Sequence, residues 1–196
     1  MKKRLLLHSC CGPCSSGVIG QVAEEYQVTL LFYNPNIQPN DEYDRRLEAQ
    51  KIVVDKMNSE YGYGVELIEV DYNPEEFFSK TKGLEKEREG GARCKECFYL
   101  RLDKTASYAK QHGYDIFTTT LSISPHKDYE LLNHIGKEMS DKYGVDYMSA
   151  NFKKNDGYLN SIRNSKKYKI YRQEYCGCIY SKLESEEYKK NKSKDE

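Results

Sequence analysis

The chain has 196 residues, with 31 lysines and arginines against 31 aspartates and glutamates, 7 cysteines and no tryptophan. That length suits one compact domain, and a charged fraction of 32% with a mean hydropathy of −0.87 excludes a membrane-spanning apolar run. The apolar stretch at Leu5, Leu6 and Leu7 is too short for an export signal. We therefore expect a cytoplasmic protein, in which an odd number of cysteines indicates metal or redox chemistry rather than disulfides.

Strand-like and helix-like segments alternate along the chain. Short apolar runs predict strands at residues 5–8, 28–33, 65–70, 115–121 and 145–148. Amphipathic spacing predicts a helix with Pro13 in its first turn, and further helices at residues 41–61, 74–80, 94–112 and 125–143. This alternation predicts an α/β fold with a Rossmann-like parallel sheet of about five strands.

The predicted organisation is a single α/β catalytic domain over residues 1–181 that ends in a cysteine-containing C-terminal extension. It includes a basic segment at residues 151–173. Residues 182–196 form a charged tail, which we expect to be frayed or disordered. Ligands of parallel sheets bind beyond the carboxyl ends of the strands, where the loops at residues 8–14 and 122–128 are expected to lie.

The seven cysteines fall into three local groups: Cys10, Cys11 and Cys14; Cys94 and Cys97; Cys176 and Cys178. A lone cysteine is most often a small buried hydrophobic residue, and a single C-x-x-C is weak evidence because redox dithiols share it. Three groups from distant parts of one small domain are stronger evidence. They predict thiolate ligands of metal.

The identity of the metal is open at this point. Structural zinc takes four ligands, and an iron–sulfur cluster also takes up to four thiolates. Seven thiols therefore fit one four-ligand site beside a second thiolate-containing metal site. A catalytic dithiol beside a zinc site is the alternative, and the spacing does not decide between them.

Several motifs together resemble those of one enzyme family. They are HSCCGPC at residues 8–14, FYNPNI at 32–37, FTTTL at 117–121 with Ser124 and Pro125 following, GGARCKEC at 90–97 and YRQEYCGC at 171–178. In combination they resemble the cobalamin-independent epoxyqueuosine reductases of the iron–sulfur type. The resemblance extends from about residue 4 to residue 181.

The resemblance implies the last step of queuosine synthesis, in which the epoxide of epoxyqueuosine at the tRNA wobble position is reduced. It also implies an adenine nucleotide α-hydrolase-like sheet, a [4Fe–4S] cluster with an additional mononuclear iron, a tRNA partner that contributes its anticodon loop, and an unidentified electron donor. The related PP-loop enzymes bind phosphates in the first loop of the sheet, but here that loop is cysteine-rich and lacks their signature.

On this basis all seven cysteines are predicted metal ligands. We expect Cys94 and Cys97 to join members of the other two groups on the cluster. The remaining thiols, drawn from Cys10, Cys11 and Cys176, would then hold the lone iron.

Epoxide reduction also needs proton donors, and His8, Asp128 and Tyr175 are the candidates because they flank the cysteine loops or a strand end. For a histidine the alternative is a hydrogen-bonded structural role. For Asp128 it is a position at a helix N-terminus, where a carboxylate complements the dipole.

The overall neutrality conceals a local excess of positive charge. Residues 151–173 carry a net charge of +6, and aromatic side chains are interleaved with the cations. The predicted tRNA-binding residues are Lys153, Lys154, Arg163, Lys166, Lys167, Lys169 and Arg172. Cations can contact phosphates while aromatic rings stack on unpaired bases. The alternative is a solvated basic loop with tyrosines packed beneath it.

Two other functions remain open from the sequence. A PP-loop-like tRNA sulfurtransferase would use thiols and ATP, and it requires the phosphate loop that is missing here. A zinc-stapled RNA-binding module would use the cysteines without catalysis, and it predicts a colourless protein that contains zinc.

Overall fold

The computed structural model describes residues 1–192, and its central feature is a sheet of five strands. The strands are β1 (Lys3–His8), β2 (Tyr26–Phe32), β3 (Glu66–Glu69), β4 (Ile116–Thr119) and β5 (Asp146–Tyr147). Their order in the sheet is β3-β2-β1-β4-β5, and all four pairings are parallel. The prediction of an α/β fold with a parallel sheet of about five strands is confirmed.

Helices connect and flank these strands. In the described residues they are α1 (Gly12–Val22), α2 (Asn40–Tyr61), α3 (Pro74–Thr81), α4 (Ala92–Gln111), α5 (Tyr129–Tyr143), α6 (Gly157–Lys167) and α7 (Ile179–Lys192). A 3₁₀ turn, Thr120–Ile123, follows β4. The predicted helix over residues 125–143 begins later, at Tyr129, because the Asp128 side chain caps its first turn by accepting from the Leu131 N–H.

Strand β1 lies at the centre of the sheet, and its apolar residues pack on both faces. Leu5, Leu6 and Leu7 are fully buried. Leu6 packs in a cluster with Leu102 of α4, whereas Leu5 and Leu7 pack in a cluster with Val18 of α1. A strand covered on both faces carries a continuous apolar run, as this sequence does.

The strand order places a crevice between β1 and β4. The chain proceeds outward from β1 through β2 to β3, and then returns to β4 on the other side of β1. Loops that follow β1 and β4 therefore leave the sheet in opposite directions from neighbouring carboxyl ends, which is where ligands of open parallel sheets bind. The loop at residues 9–11 and the turn at Thr120–Ile123 flank this crevice.

Helix α6 is not among the sequence predictions. Its buried residues are Gly157, Ser161 and Ser165, so the apolar periodicity that reveals most helices is missing. These small residues allow α6 to lie very close to α1. A Cβ atom on Gly17 of α1 would lie 2.4 Å from the Gly157 carbonyl oxygen.

Helix α7 begins at Ile179 and ends at Lys192, so residues 182–192 of the predicted frayed tail are helical here. The rest of that tail, residues 193–196, lies outside the described residues. The domain boundary at residue 181 stays a prediction. Over residues 1–192, no helix combines the length and the apolar character needed to cross a membrane.

Candidate metal centre

The loop after β1 brings three thiols together at the carboxyl end of the sheet. Cys10 and Cys11 precede α1, and Cys14 lies in its first turn, after Pro13. Their Sγ atoms all lie within 4.8 Å of one another, and those of Cys10 and Cys11 are 3.9 Å apart. Thiolates arranged tetrahedrally about 2.3 Å from one ion lie roughly 3.8 Å apart. This three-cysteine group therefore has the spacing of ligands to a single metal ion.

Proximity determines which thiol of the three-cysteine group ionises first. Hydrogen bonds from Cys11 and Cys14 hold the pKa of Cys10 well below its usual value. The hydrogen bond to Cys10 raises the pKa of Cys11 to about 12, and bonds to the other two thiols raise the pKa of Cys14. Gln173 Nε2 also donates to Cys11 Sγ over 3.1 Å. A bound metal ion would replace the two remaining protons.

The other four cysteines line a second, smaller cavity. Cys94 and Cys97 lie one turn apart at the start of α4, and Cys176 and Cys178 reach the same cavity from the loop before α7. All four are free thiols, and burial raises the pKa of Cys97 to about 12. This four-cysteine group unites two pairs that are about 80 residues apart in the sequence.

Cys176 lies between the two groups of cysteines. The sequence-based expectation groups it with Cys10 and Cys11 on the lone metal; in the structure it lines the cavity of Cys94, Cys97 and Cys178 and also a larger cavity with Cys10 and Cys14, so that partition stays a prediction. The thiols nearest to Cys10 and Cys11 come from their own loop, because the first turn of α1 carries Cys14 back towards them.

A buried arginine holds the loop of Cys176 and Cys178 in place. Arg46 donates to the carbonyl oxygens of Cys176 and Tyr175 over 2.9 Å and 3.0 Å, and it forms a buried ion pair with Glu42 at 2.7 Å. Gly177 has φ of +142°, a conformation that other residues rarely adopt. This backbone conformation at Gly177 lets both neighbouring cysteines reach one cavity.

Three N–H groups donate to sulfurs of the four-cysteine group. The pairs are Gly90 N–H with Cys94 Sγ at 3.2 Å, Ser181 N–H with Cys178 Sγ at 3.4 Å, and Lys127 Nζ with Cys176 Sγ at 2.8 Å. Such donors favour the thiolate form of cysteine, which is the form that binds metals.

A larger cavity of about 730 Å³ opens onto both cysteine groups. Cys10 and Cys14 of the three-cysteine group and Cys176 of the four-cysteine group are among its lining residues. This volume lies within the range of about 300–1,000 Å³ that is typical of pockets for small ligands. A ligand in this cavity would therefore contact both groups of thiols.

Two buried cations at this cavity were missed in the sequence analysis. Arg101 of α4 is 1% exposed, and its Nε donates to the Cys97 carbonyl oxygen over 3.1 Å. The side chain of Lys127 is 9% exposed; burial opposes its charge, but Cys176 and Glu89 raise its pKa above the usual value. Arg101 follows Cys97 by one helical turn, which is a usable sequence signal, whereas Lys127 is 49 residues from Cys176.

Among the predicted proton donors, His8 is held in a fully buried position. Burial lowers its pKa to about 4, so the ring is neutral at pH 7. Its Nε2–H donates to the Tyr33 carbonyl oxygen over 3.2 Å, and its Nδ1 accepts from the Thr119 hydroxyl over 2.9 Å. These contacts favour the structural alternative, in which His8 joins β1 to β4 behind the three-cysteine group.

The other two predicted donors occupy different environments. Asp128 caps α5, as described above, and does not belong to the lining of the large cavity. Tyr175 does line the cavity, and its hydroxyl donates to the Gln38 carbonyl oxygen over 2.6 Å. Burial raises the pKa of Tyr175 to about 12, so its hydroxyl keeps its proton. The structure therefore brings Tyr175 to the cavity, but not Asp128.

The basic segment forms one wall beside the cavity. Arg172 lines the cavity, and its guanidinium lies 5.7 Å from the ring centre of Tyr158, which is exposed. Phe152 and Tyr168 are buried, as the alternative interpretation expects, and Lys167 pairs with Glu60. The exposed cations of the segment are Lys154, Arg163, Lys166, Lys167, Lys169 and Arg172, and Lys153 is half-buried.

Comparison with known proteins identifies the family of this chain. The family model described as epoxyqueuosine reductase QueH matches residues 5–184. The epoxyqueuosine reductase QueH of Streptococcus pyogenes serotype M1 is 41% identical over 181 residues, which are 92% of this chain and 71% of the relative. The QueH of Thermotoga maritima is 39% identical over 186 residues, covering 93% and 92% of the two chains, and that of Dehalococcoides mccartyi is 37% identical over 185 residues, covering 94% and 95%. The chain therefore belongs to the epoxyqueuosine reductase QueH family.

Proposed function

We propose that this protein reduces epoxyqueuosine to queuosine at the wobble position of tRNA. Its relatives are named for that reductase activity. The observation that carries the proposal is the separation of seven thiols into groups of three and four that share one cavity. A two-electron reduction of a small strained ring needs such a place, where substrate can meet redox-active metal.

The donor sets fit the metal groups that the resemblance implies. Cys94, Cys97, Cys176 and Cys178 would hold the [4Fe–4S] cluster, because four thiols converge there and N–H groups donate to three of their sulfurs. The three-cysteine group would hold the mononuclear iron, since three ligands leave a coordination position free. When bound, these groups would supply electrons and a Lewis acid.

The overall reaction consumes two electrons and two protons, and the epoxide oxygen leaves as water. The residues of this chain would position the ring and deliver protons. Tyr175 is the predicted donor that the cavity supports best, because its hydroxyl is protonated at neutral pH and its side chain lines the cavity. His8 and Asp128 stay in the proposal as candidates to be tested by substitution.

The tRNA would approach along the basic segment. Exposed lysines and arginines of α6 and the following loop would contact phosphates, and Arg172 lies where the segment meets the cavity. Enzymes that modify a base take it out of the stack into a pocket. Exposed Tyr158, beside Arg172, offers a ring on which an unpaired base can stack.

The test is anaerobic conversion of epoxyqueuosine-containing tRNA with a chemical reductant, followed by mass analysis of the nucleosides. The proposal predicts that queuosine accumulates. A protein that holds zinc without sulfide, and that binds tRNA without converting it, would instead support the zinc-stapled RNA-binding module. Conversion that requires ATP and transfers sulfur would support the sulfurtransferase.

A matched pair of serine variants tests the assignment of the two cysteine groups. Cys178→Ser should lower sulfide content and visible absorbance, because it removes a ligand of the four-cysteine group. Cys11→Ser should keep sulfide and absorbance but lose conversion. If Cys11→Ser loses sulfide while Cys178→Ser keeps it, the assignment is reversed.

A further inference from the structure

Three arginine side chains are among the largest fully buried side chains of the described residues: Arg46, Arg93 and Arg101. A buried charge is costly unless an opposite charge and hydrogen bonds compensate for it. Arg46 pairs with Glu42 at 2.7 Å, and Arg93 pairs with Glu184 at 3.1 Å. Over residues 1–192, no carboxylate forms an ion pair with Arg101.

The hydrogen bonds of Arg101 are also incomplete. Its Nε donates to the Cys97 carbonyl oxygen, but its buried Nη2 has no hydrogen-bond partner among the described residues. The guanidinium lies 5.5 Å from the ring centre of Phe98, an interaction too weak to replace a counter-charge. A buried and unpaired guanidinium nitrogen indicates that a negatively charged group belongs beside it.

The negative charge available at this place is that of the thiolates. Arg101 lines both the smaller cavity of the four-cysteine group and the large cavity shared with the three-cysteine group. Cys94, Cys97, Cys176 and Cys178 share the first of these cavities with Arg101, and Cys10 and Cys14 share the second. Arg101 therefore lies beside members of both groups, where it can compensate the charge of metal-bound thiolates.

We propose that Arg101 is a positioning residue that supplies the counter-charge shared by the two cysteine groups, and that it raises the reduction potential of the metal group held by Cys94, Cys97, Cys176 and Cys178. A nearby fixed cation stabilises the more negative, reduced form of that group, so it eases reduction. Lys127 also contacts Cys176, but Glu89 balances its charge at 3.1 Å. The redox part of this inference rests on the proposed function.

The test compares Arg101→Gln, Arg101→Lys and the control Lys104→Gln. Lys104 lies on the same helix, three residues from Arg101, and its Nζ lies 5.6 Å from the ring centre of Tyr33. The readout is the midpoint potential of anaerobically purified protein, measured by redox titration followed by visible absorption and electron paramagnetic resonance. The midpoint should move to a more negative potential in Arg101→Gln, and it should stay near the wild-type value in Arg101→Lys and Lys104→Gln.

Two outcomes would overturn the proposal. The first is an Arg101→Gln protein that holds the wild-type complement of iron and sulfide and has the wild-type midpoint. The second concerns loss of metal. If Arg101→Gln holds no iron, the charge-based role predicts that Arg101→Lys still holds it, so an Arg101→Lys protein that is folded by circular dichroism but free of iron contradicts that role.

Competition with a chelator separates this inference from the proposed function. Removal of an outer-shell partner of metal ligands typically lowers metal affinity about 10- to 100-fold. Whatever metal the wild-type protein contains, the affinity of Arg101→Gln for that metal should be lower by about 10- to 100-fold. The affinity of Lys104→Gln should equal that of wild type. Zinc without sulfide in the wild type would defeat the proposed function, whereas equal retention by Arg101→Gln and wild type would defeat the counter-charge role.

Discussion

Replacement of Gly177 by alanine should weaken metal binding by the four-cysteine group without unfolding the chain. Gly177 has φ of +142°, and a Cβ atom there would lie 3.1 Å from Arg46 Nη1 and 3.2 Å from Asn36 Nδ2. Backbone strain of this kind costs about 1–3 kcal/mol. If the loop moves to relieve it, the affinity of the four thiols for metal falls about 5- to 150-fold, since each 1.4 kcal/mol is a factor of ten.

The assay measures iron and acid-labile sulfide per chain, and the rate of iron release to a chelator, under anaerobic conditions. Gly64→Ala is the control, because Gly64 also has a positive φ, +65°, but no atom lies within 4 Å of its added Cβ. Gly64→Ala therefore introduces backbone strain at a position away from the thiols. Wild-type iron, sulfide and release rate in Gly177→Ala would refute the reasoning that this turn holds Cys176 and Cys178 in place.

Three further predictions concern the basic segment and two of the predicted proton donors. Replacement of Lys166, Lys167 and Lys169 by glutamate should raise the dissociation constant for tRNA several-fold and make that constant depend less steeply on salt concentration. An unchanged binding isotherm would show that these lysines do not contact tRNA. Asp128→Ala should lower the free energy of unfolding by about 1 kcal/mol through loss of a helix cap. Its turnover per folded molecule should equal that of wild type, and a loss of turnover would support Asp128 as a proton donor. The pKa of His8 falls from 6.5 to about 4 on folding, so its contribution to stability is complete above pH 6.5 and is lost as pH falls towards 4. The unfolding temperature of His8→Gln should therefore decline less between pH 7 and pH 5 than that of wild type. Equal declines would contradict the buried neutral state of His8.

Local patterns in the sequence were sufficient to predict the fold and to select the cysteines as candidate ligands. The apolar run of β1 and the proline in the first turn of α1 each reflect local physical chemistry, so the strands, most helices and the loop of Cys10, Cys11 and Cys14 could be predicted. Helix α6 could not, because its contact with α1 uses glycine and serine rather than apolar residues.

The grouping of the cysteines depends on contacts between distant parts of the chain. Arg46, 130 residues before Cys176, donates to its carbonyl oxygen and so helps to hold its loop at the cavity of the four-cysteine group. Lys127 contacts Cys176, which lies 49 residues later in the sequence. The residues next to Lys127 in the sequence form no pattern that would predict this contact. The alternative roles of His8 and Asp128 likewise depend on partners that only the folded chain identifies.

We propose that one group of four thiols and one group of three each hold their own iron site. The decisive experiment measures iron and acid-labile sulfide per chain in wild-type protein purified without oxygen. We expect about five iron atoms and about four sulfides, from one [4Fe–4S] cluster and one mononuclear iron. Stoichiometric zinc with no sulfide would contradict it.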